Sequence, residues 1–116
     1  MRNRILVQKM CAYIIKVLDY CDGCSYDDFT SDMKPVEACV FNLSQLGELC
    51  HLADHSFTEL HPEIPWHQIY GLRNRIVHDY EGVNLRLVWE IISTDLSALL
   101  EVLQKLLDDD LSCTEF

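Results

Sequence analysis

Glycine and proline are scarce, four and three among 116 residues. That shortage argues against sandwiches and barrels, which need turn residues at short and frequent intervals. Basic residues are also few: nine Lys and Arg stand against 19 Asp and Glu, a formal net charge of -10. A protein that grips nucleic acid through many phosphates carries the opposite balance, so any such contact here must be local and brief. Acidity over the rest of the surface suits solubility or a basic partner. Long apolar runs are missing too. No stretch reaches the roughly 18 consecutive apolar residues of a membrane span, and the first ten residues have no signal-peptide core. The expectation is a cytosolic, cytoplasmic protein with no membrane contact. Internal repeats, low-complexity tracts and linkers are absent, and 49% hydrophobic content over this length suits a single domain spanning 1–116.

What is present is helical patterning. Leu6, Val7, Met10, Ile14, Val17 and Leu18 recur at three- and four-residue spacing, predicting an amphipathic helix from Arg4 to about Tyr20 that stops at Asp22 and Gly23. Ser25 can cap a short second helix to Ser31, with Asp27 and Asp28 in its first turn and Tyr26 and Phe29 as anchors. Pro35 suits the first turn of a third helix running to about Ala53 through Val36, Cys39, Val40, Leu43, Leu46, Gly47 and Cys50. Phe41, Leu49 and Leu52 lie off that stripe, so this helix is expected to be apolar on more than one side and the most buried. Glu48 then reads as a polar group inside the bundle.

Residues 54–64 are polar and hold Pro62, which predicts an irregular connection; Pro65 then opens a fourth helix expected to end near Tyr80, before Gly82. Asn84 can cap a fifth. Its stripe of Leu85, Val88, Trp89, Ile92, Leu96, Leu99, Leu103 and Leu106 faces the other helices, and Asp95 within it marks a break. The sum is an all-α fold, a compact bundle of four main helices plus one short helix.

Placed on a regular wheel, the fourth helix puts Ile69, Leu72, Ile76 and Tyr80 in one apolar stripe with Arg73 beside it. Gly71, Asn74, Arg75 and His78 fall on the opposite face, where the glycine would let another backbone approach, a second copy of this helix being one candidate. Arg73, Arg75 and Arg86 around His78 make a positive spot on an acidic body. Ordinary structural roles are also open. Arg73 could form a partly buried ion pair with a carboxylate such as Glu48. His78 could sit exposed near a helix C-terminus, and Tyr80 could be a core-edge aromatic with its hydroxyl in water. Five residues on a helix set Arg73 and His78 about 140° apart, so one cleft holding both needs a long reach, a distorted helix or two subunits.

Six cysteines could form three bridges, but Cys11, Cys39 and Cys50 fall inside apolar patterns, so free thiols are expected. Cys21 and Cys24 have the C-x-x-C spacing of redox and zinc motifs, without the second pair of a zinc ribbon or the strand of a thioredoxin-like fold. His51 and His55, even with Cys50 or His61, lack the acidic residue of a zinc-protease motif and read as surface histidines. No metal site is expected.

Arg73, four residues, His78, one residue and Tyr80 reproduce R-x4-H-x-Y, and with this signature the chain resembles the HepT toxins of the HEPN superfamily. Leu46-Gly47-Glu48, Ile64-Pro65-Trp66 with Ile69, Gly71-Leu72-Arg73-Asn74, His78-Asp79-Tyr80 and Val88-Trp89 extend the resemblance over most of residues 1–108. It implies a HEPN-type bundle and a metal-independent endoribonuclease without cofactor. In that reaction a ribose 2'-hydroxyl attacks the adjacent phosphate, leaving a 2',3'-cyclic phosphate. An imidazole titrating near neutrality suits His78 as general acid or base. Arg73, always charged and forked, suits phosphate binding and stabilisation of transition-state charge. Asn74 and Glu48 are candidate supporting residues. The resemblance further implies a homodimer with a composite cleft. It also implies a type VII-like toxin-antitoxin module whose partner, a minimal nucleotidyltransferase antitoxin of the MntA type, transfers AMP from ATP to Tyr80. The competing reading is a non-catalytic HEPN module serving as a dimerisation or nucleotide-sensing partner of such a nucleotidyltransferase.

Overall fold

The computed structural model describes residues 2–78 and 82–109 and is all-α apart from one small hairpin. Helix α1 (Arg2–Tyr20) buries Val7, Met10, Ile14 and Val17, one side of the predicted stripe. It packs against α3 (Met33–Leu52) and α8 (Leu96–Asp109), and side chains of the shorter elements complete the same core. Between α1 and α3, α2 (Tyr26–Thr30) begins in a capping box. The Asp28 N–H donates to Ser25 Oγ and the Ser25 N–H to Asp28 Oδ2, each at 3.1 Å. These bonds hold the Asp28 carboxyl below the usual carboxylate range, the Ser25 backbone N–H contributing most. α2 hangs on Trp89, whose ring lies 5.2 Å from Phe29 and 6.2 Å from Tyr26.

Helix α3 starts two residues before Pro35, because Asp32 Oδ1 accepts the Lys34 N–H and Pro35 still falls in the first turn, where a missing N–H costs nothing. The expectation that α3 is buried on more than one side is corrected. Phe41 and Leu52 are 59% and 55% exposed, and Glu48 is exposed as well. At 100° per residue all three point roughly opposite the face of Cys39, Leu43, Leu46 and Cys50, so α3 has one core face and an apolar outer stripe. Glu48 is therefore not a polar group of the bundle interior.

The segment expected to be irregular contains a short helix, α4 (His55–Leu60). Its anchor is Phe57, buried against the rings of Trp66 and His61. The fourth predicted helix is also corrected. It divides into α5 (Trp66–Tyr70) and α6 (Leu72–Ile76) at Gly71, whose N–H turns back to the carbonyls of His67 and Ile69. It ends at Ile76 and not near Tyr80. Val77 is extended, and β1 (Val77–His78) pairs antiparallel with β2 (Gly82–Val83) in the register Val77 to Val83 and His78 to Gly82. Gly82 sits at φ +79°, a conformation that favours glycine, and the Asn84 N–H closes the hairpin on the Ile76 carbonyl at 2.7 Å.

Asn84 then caps α7 (Leu85–Glu90), its Oδ1 accepting the Leu87 N–H. The break signalled by Asp95 is a π-helical turn, Ile91–Asp95, inserted between α7 and α8. Among the described residues no helix is long and apolar enough to cross a membrane.

Candidate functional site

Arg73 and Asn74 lie on α6 and the backbone of His78 on the hairpin that follows it, next to the corner where α5 and α6 pack on α3. Two features fix that corner. Gly47 lets α3 touch α5 so closely that a Cβ there would lie 2.9 Å from the Ile69 carbonyl oxygen and 3.2 Å from that of Tyr70. Trp66 fixes the start of α5, its Nε1–H donating to the His61 carbonyl at 2.9 Å while its ring meets Phe57 at 5.8 Å. Within the chain the close approach is at Gly47; a Cβ on Gly71 would meet only ordinary contacts, the nearest at 3.6 Å within its own segment.

Leu72 and Ile76 are buried and clamp α6 to the bundle, leaving Arg73, Asn74 and Arg75 exposed between them. Along one turn, Arg73 and Arg75 emerge on opposite flanks of the buried line. No described carboxylate lies within ion-pair distance of Arg73, so the partly buried pair with Glu48 is not formed among the described residues.

His78 does not lie on the helix. Its backbone belongs to β1, two residues past the end of α6, so the wheel that set it 140° from Arg73 and on one face with Gly71 and Asn74 does not apply. Tyr80, with Asp79 and Glu81, lies outside the described residues. Arg86, the third arginine of the expected positive spot, has an aromatic partner. It stacks on the ring of Tyr26, 4.1 Å from the centroid, a cation–π contact that ties α7 to α2.

The sequence reading missed a cleft of about 370 Å³ on the Arg75 flank of α6, floored by Ile69, Leu72 and Leu99 and edged by Gln68, Arg75 and Asp95. Its far wall includes the π-turn, where the Thr94 hydroxyl donates to the Glu90 carbonyl. Asp95 inside an apolar stripe marks a break in the helix there but gives no sign of a cleft.

The histidines expected at the surface scatter. His51 lies against the Tyr70 ring at 5.0 Å, and His55 Nε2 is 2.8 Å from Glu59. His61 is buried, contrary to expectation, because α4 folds its Phe57 ring over it; its Nδ1 lies 3.4 Å from Glu63. Among the described residues no three of His, Cys, Asp and Glu come together as a metal-binding group.

The profile of the Ribonuclease HepT-like family matches residues 10–106. A candidate RNase of Caldanaerobacter subterraneus subsp. tengcongensis is 34% identical, over 80% of this chain and 93% of its own. A protein of Thermococcus cleftensis named as probable ribonuclease HepT is 33% identical, over 70% of this chain and 74% of its own. A candidate RNase of Methanocaldococcus jannaschii is 24% identical, over 80% and 77%. No solved structure matches.

Proposed function

The chain belongs to the HepT-like ribonuclease family, and on that premise we propose that it is a metal-independent endoribonuclease, the toxin of a two-gene module. The observation that carries the reading is the segment from Arg73 to Tyr80: an exposed arginine on a clamped helix, with no ion pair among the described residues, followed within five residues by a histidine whose backbone is held on a hairpin, inside the matched region. In the proposed reaction the 2'-hydroxyl loses its proton as it attacks the adjacent phosphorus, and the departing 5'-oxygen gains one. His78 serves one of these transfers as general base or acid. Arg73 holds the non-bridging oxygens and offsets the charge that builds on them in the transition state. Asn74, exposed beside Arg73, is proposed to bind the RNA backbone, and Glu48, exposed on α3 one residue past the Gly47 contact, to act at most through its neighbours.

The proposed assembly is a homodimer whose cleft takes groups from both copies. What supports it is the exposed polar run Arg73-Asn74-Arg75 together with the family resemblance. Control is proposed to come from a nucleotidyltransferase antitoxin that adenylylates Tyr80, since a phosphate and an adenosine two residues from His78 would repel and obstruct an RNA phosphate. Tyr80→Phe should still cleave RNA and escape neutralisation; unchanged AMP addition by intact mass would move the acceptor elsewhere.

The test of the activity compares wild type, His78→Ala and Arg73→Ala on single-stranded RNA in EDTA. Wild type should cut and leave cyclic phosphate ends, and each variant should lose about 10²-fold or more. Because Arg73 is exposed and makes no described ion pair, its removal should change stability by less than about 0.5 kcal/mol, so the loss reads as chemistry. Cleavage that survives His78→Ala, or that requires a divalent ion, would refute the mechanism. A wild type that pairs with the nucleotidyltransferase but never cuts RNA would favour the non-catalytic reading.

A further inference from the structure

The Cys21-Asp22-Gly23-Cys24 turn has no part in the reading above, yet the fold brings a third cysteine to it. Cys21 closes the last turn of α1, its N–H donating to the Val17 carbonyl at 3.3 Å. Gly23, at φ +75°, curls the chain so that the Cys24 N–H donates to the Cys21 carbonyl at 3.0 Å. Cys39, from the second turn of α3, places its Sγ 3.7 Å from that of Cys21. Cys21 and Cys39 are buried, whereas Cys24 is partly exposed. All three are free thiols.

Burial pushes the Cys21 and Cys39 thiols up, Cys39 the more strongly, and the neighbouring Cys24 thiol pushes both in the same direction. Both buried thiols are shielded from a reagent in solution. Cys24 is partly exposed and can meet one, and it stands within electrostatic reach of both. The remaining described cysteines offer a contrast: Cys11 and Cys50 are buried with no thiol neighbour, and burial alone raises Cys50 to about 12.

We propose that Cys21, Cys24 and Cys39 form a thiol-oxidation relay that takes up a low-molecular-weight disulfide at Cys24 and ends as a Cys21–Cys39 bridge. The Cys24 thiolate attacks one sulfur of the small disulfide, whose S–S bond breaks; one small thiol leaves, taking the electron pair and the proton that Cys24 gave up. Cys21 then attacks the Cys24 sulfur and expels the second small thiol, which receives the Cys21 proton. Finally Cys39 attacks the Cys21 sulfur, and Cys24 departs with the Cys39 proton as a free thiol again. Two protein thiols are oxidised to one disulfide and one small disulfide is reduced to two thiols. Closing the bridge needs about 1.7 Å of approach from the observed separation, within reach of side-chain rotation at the end of a helix. The product fastens the end of α1 to α3 across 18 residues and should raise the thermal midpoint by several degrees.

The test treats the full chain, carrying Cys113→Ser, with oxidised glutathione in mildly alkaline buffer, followed by alkylation, intact mass and fragment mapping. The folded protein should lose about 2 Da, with residue 21 linked to residue 39 and full reversal by dithiothreitol. Cys24→Ser should slow the bridge about tenfold or more, Cys39→Ala should stop the relay at Cys21–Cys24, and Cys50→Ala should not alter the rate. A stable glutathione adduct on Cys24 with no loss of mass would overturn the proposal, and so would bridge formation at the wild-type rate in Cys24→Ser. That variant replaces a partly exposed side chain, so the test stands even if Cys39→Ala does not fold.

Discussion

Replacing Gly47 by alanine adds one methyl group where α3 meets the end of α5, and the structure sets both sides of the balance. In the interior of a helix the change is favourable by about 0.5–1 kcal/mol, because alanine loses less backbone freedom on folding. Against this, the new Cβ would stand 2.9 Å from the Ile69 carbonyl oxygen and 3.2 Å from the Tyr70 carbonyl oxygen. Both obstacles are backbone, so neither can rotate aside, and α5 must move as a piece. Overpacking of this kind costs about 1–3 kcal/mol. The expected net loss is about 0.5–2 kcal/mol, a fall of roughly 2–8 °C in the thermal midpoint for a chain of this size. Urea unfolding followed by circular dichroism measures it, with Gly71→Ala as the matched control. There the nearest contact is 3.6 Å, so that variant should stay within about 0.5 kcal/mol of wild type or gain slightly. If Gly47→Ala proves as stable as wild type, or Gly71→Ala the more damaging of the two, the inferred contact between α3 and α5 is wrong. A folded Gly47→Ala protein should also cut RNA more slowly, since the shift of α5 carries α6 and Arg73 with it.

Asn84→Ala removes the cap of α7 and should cost about 1 kcal/mol, read as a lower thermal midpoint; an unchanged midpoint would mean that the Oδ1 bond to the Leu87 N–H contributes nothing. Acid should weaken the attachment of α2, because the Asp28 carboxyl is depressed in the folded chain. Its contribution is complete above the ordinary carboxylate pKa and disappears as pH falls through the lower folded value. Asp28→Asn should therefore lower the midpoint at neutral pH and less so in strong acid, and a pH-independent difference would contradict the capping box.

Elements with strong period and clear stops were readable from the residues. The stripe from Leu6 to Leu18, the Ser25 and Asn84 caps and the apolar series from Leu85 to Leu106 each carry their own local physics, and α1, α2, α7 and α8 follow them. The failures lie where tertiary contacts outrank local pattern. Tyr80 stands in helical phase with Ile76, so a wheel extends the fourth helix to it, but β-branched Val77 pairs with Val83 and the Asn84 N–H takes the Ile76 carbonyl instead. Phe41 and Leu52 suggested burial by hydrophobicity alone, although their phase sets them opposite the core face. In the site, the exposure of Arg73 and Asn74 could be foreseen from the buried positions of Leu72 and Ile76. The cleft beside Arg75 could not, because it depends on the π-turn, which has no periodic signature of its own.

The chain leaves the bundle after Ile76 and re-enters it at Asn84 within the span of a single hydrogen bond, with Ile76 before the hairpin and Val88 after it wholly buried. These anchors fix where the hairpin starts and finishes, and with it the phase of its first strand. A strand alternates its faces, so one residue more or fewer between Ile76 and His78 would break the pairing of Val77 with Val83 and of His78 with Gly82 and reverse the face that each position presents. The spacing between Ile76 and His78 should therefore admit no change in length.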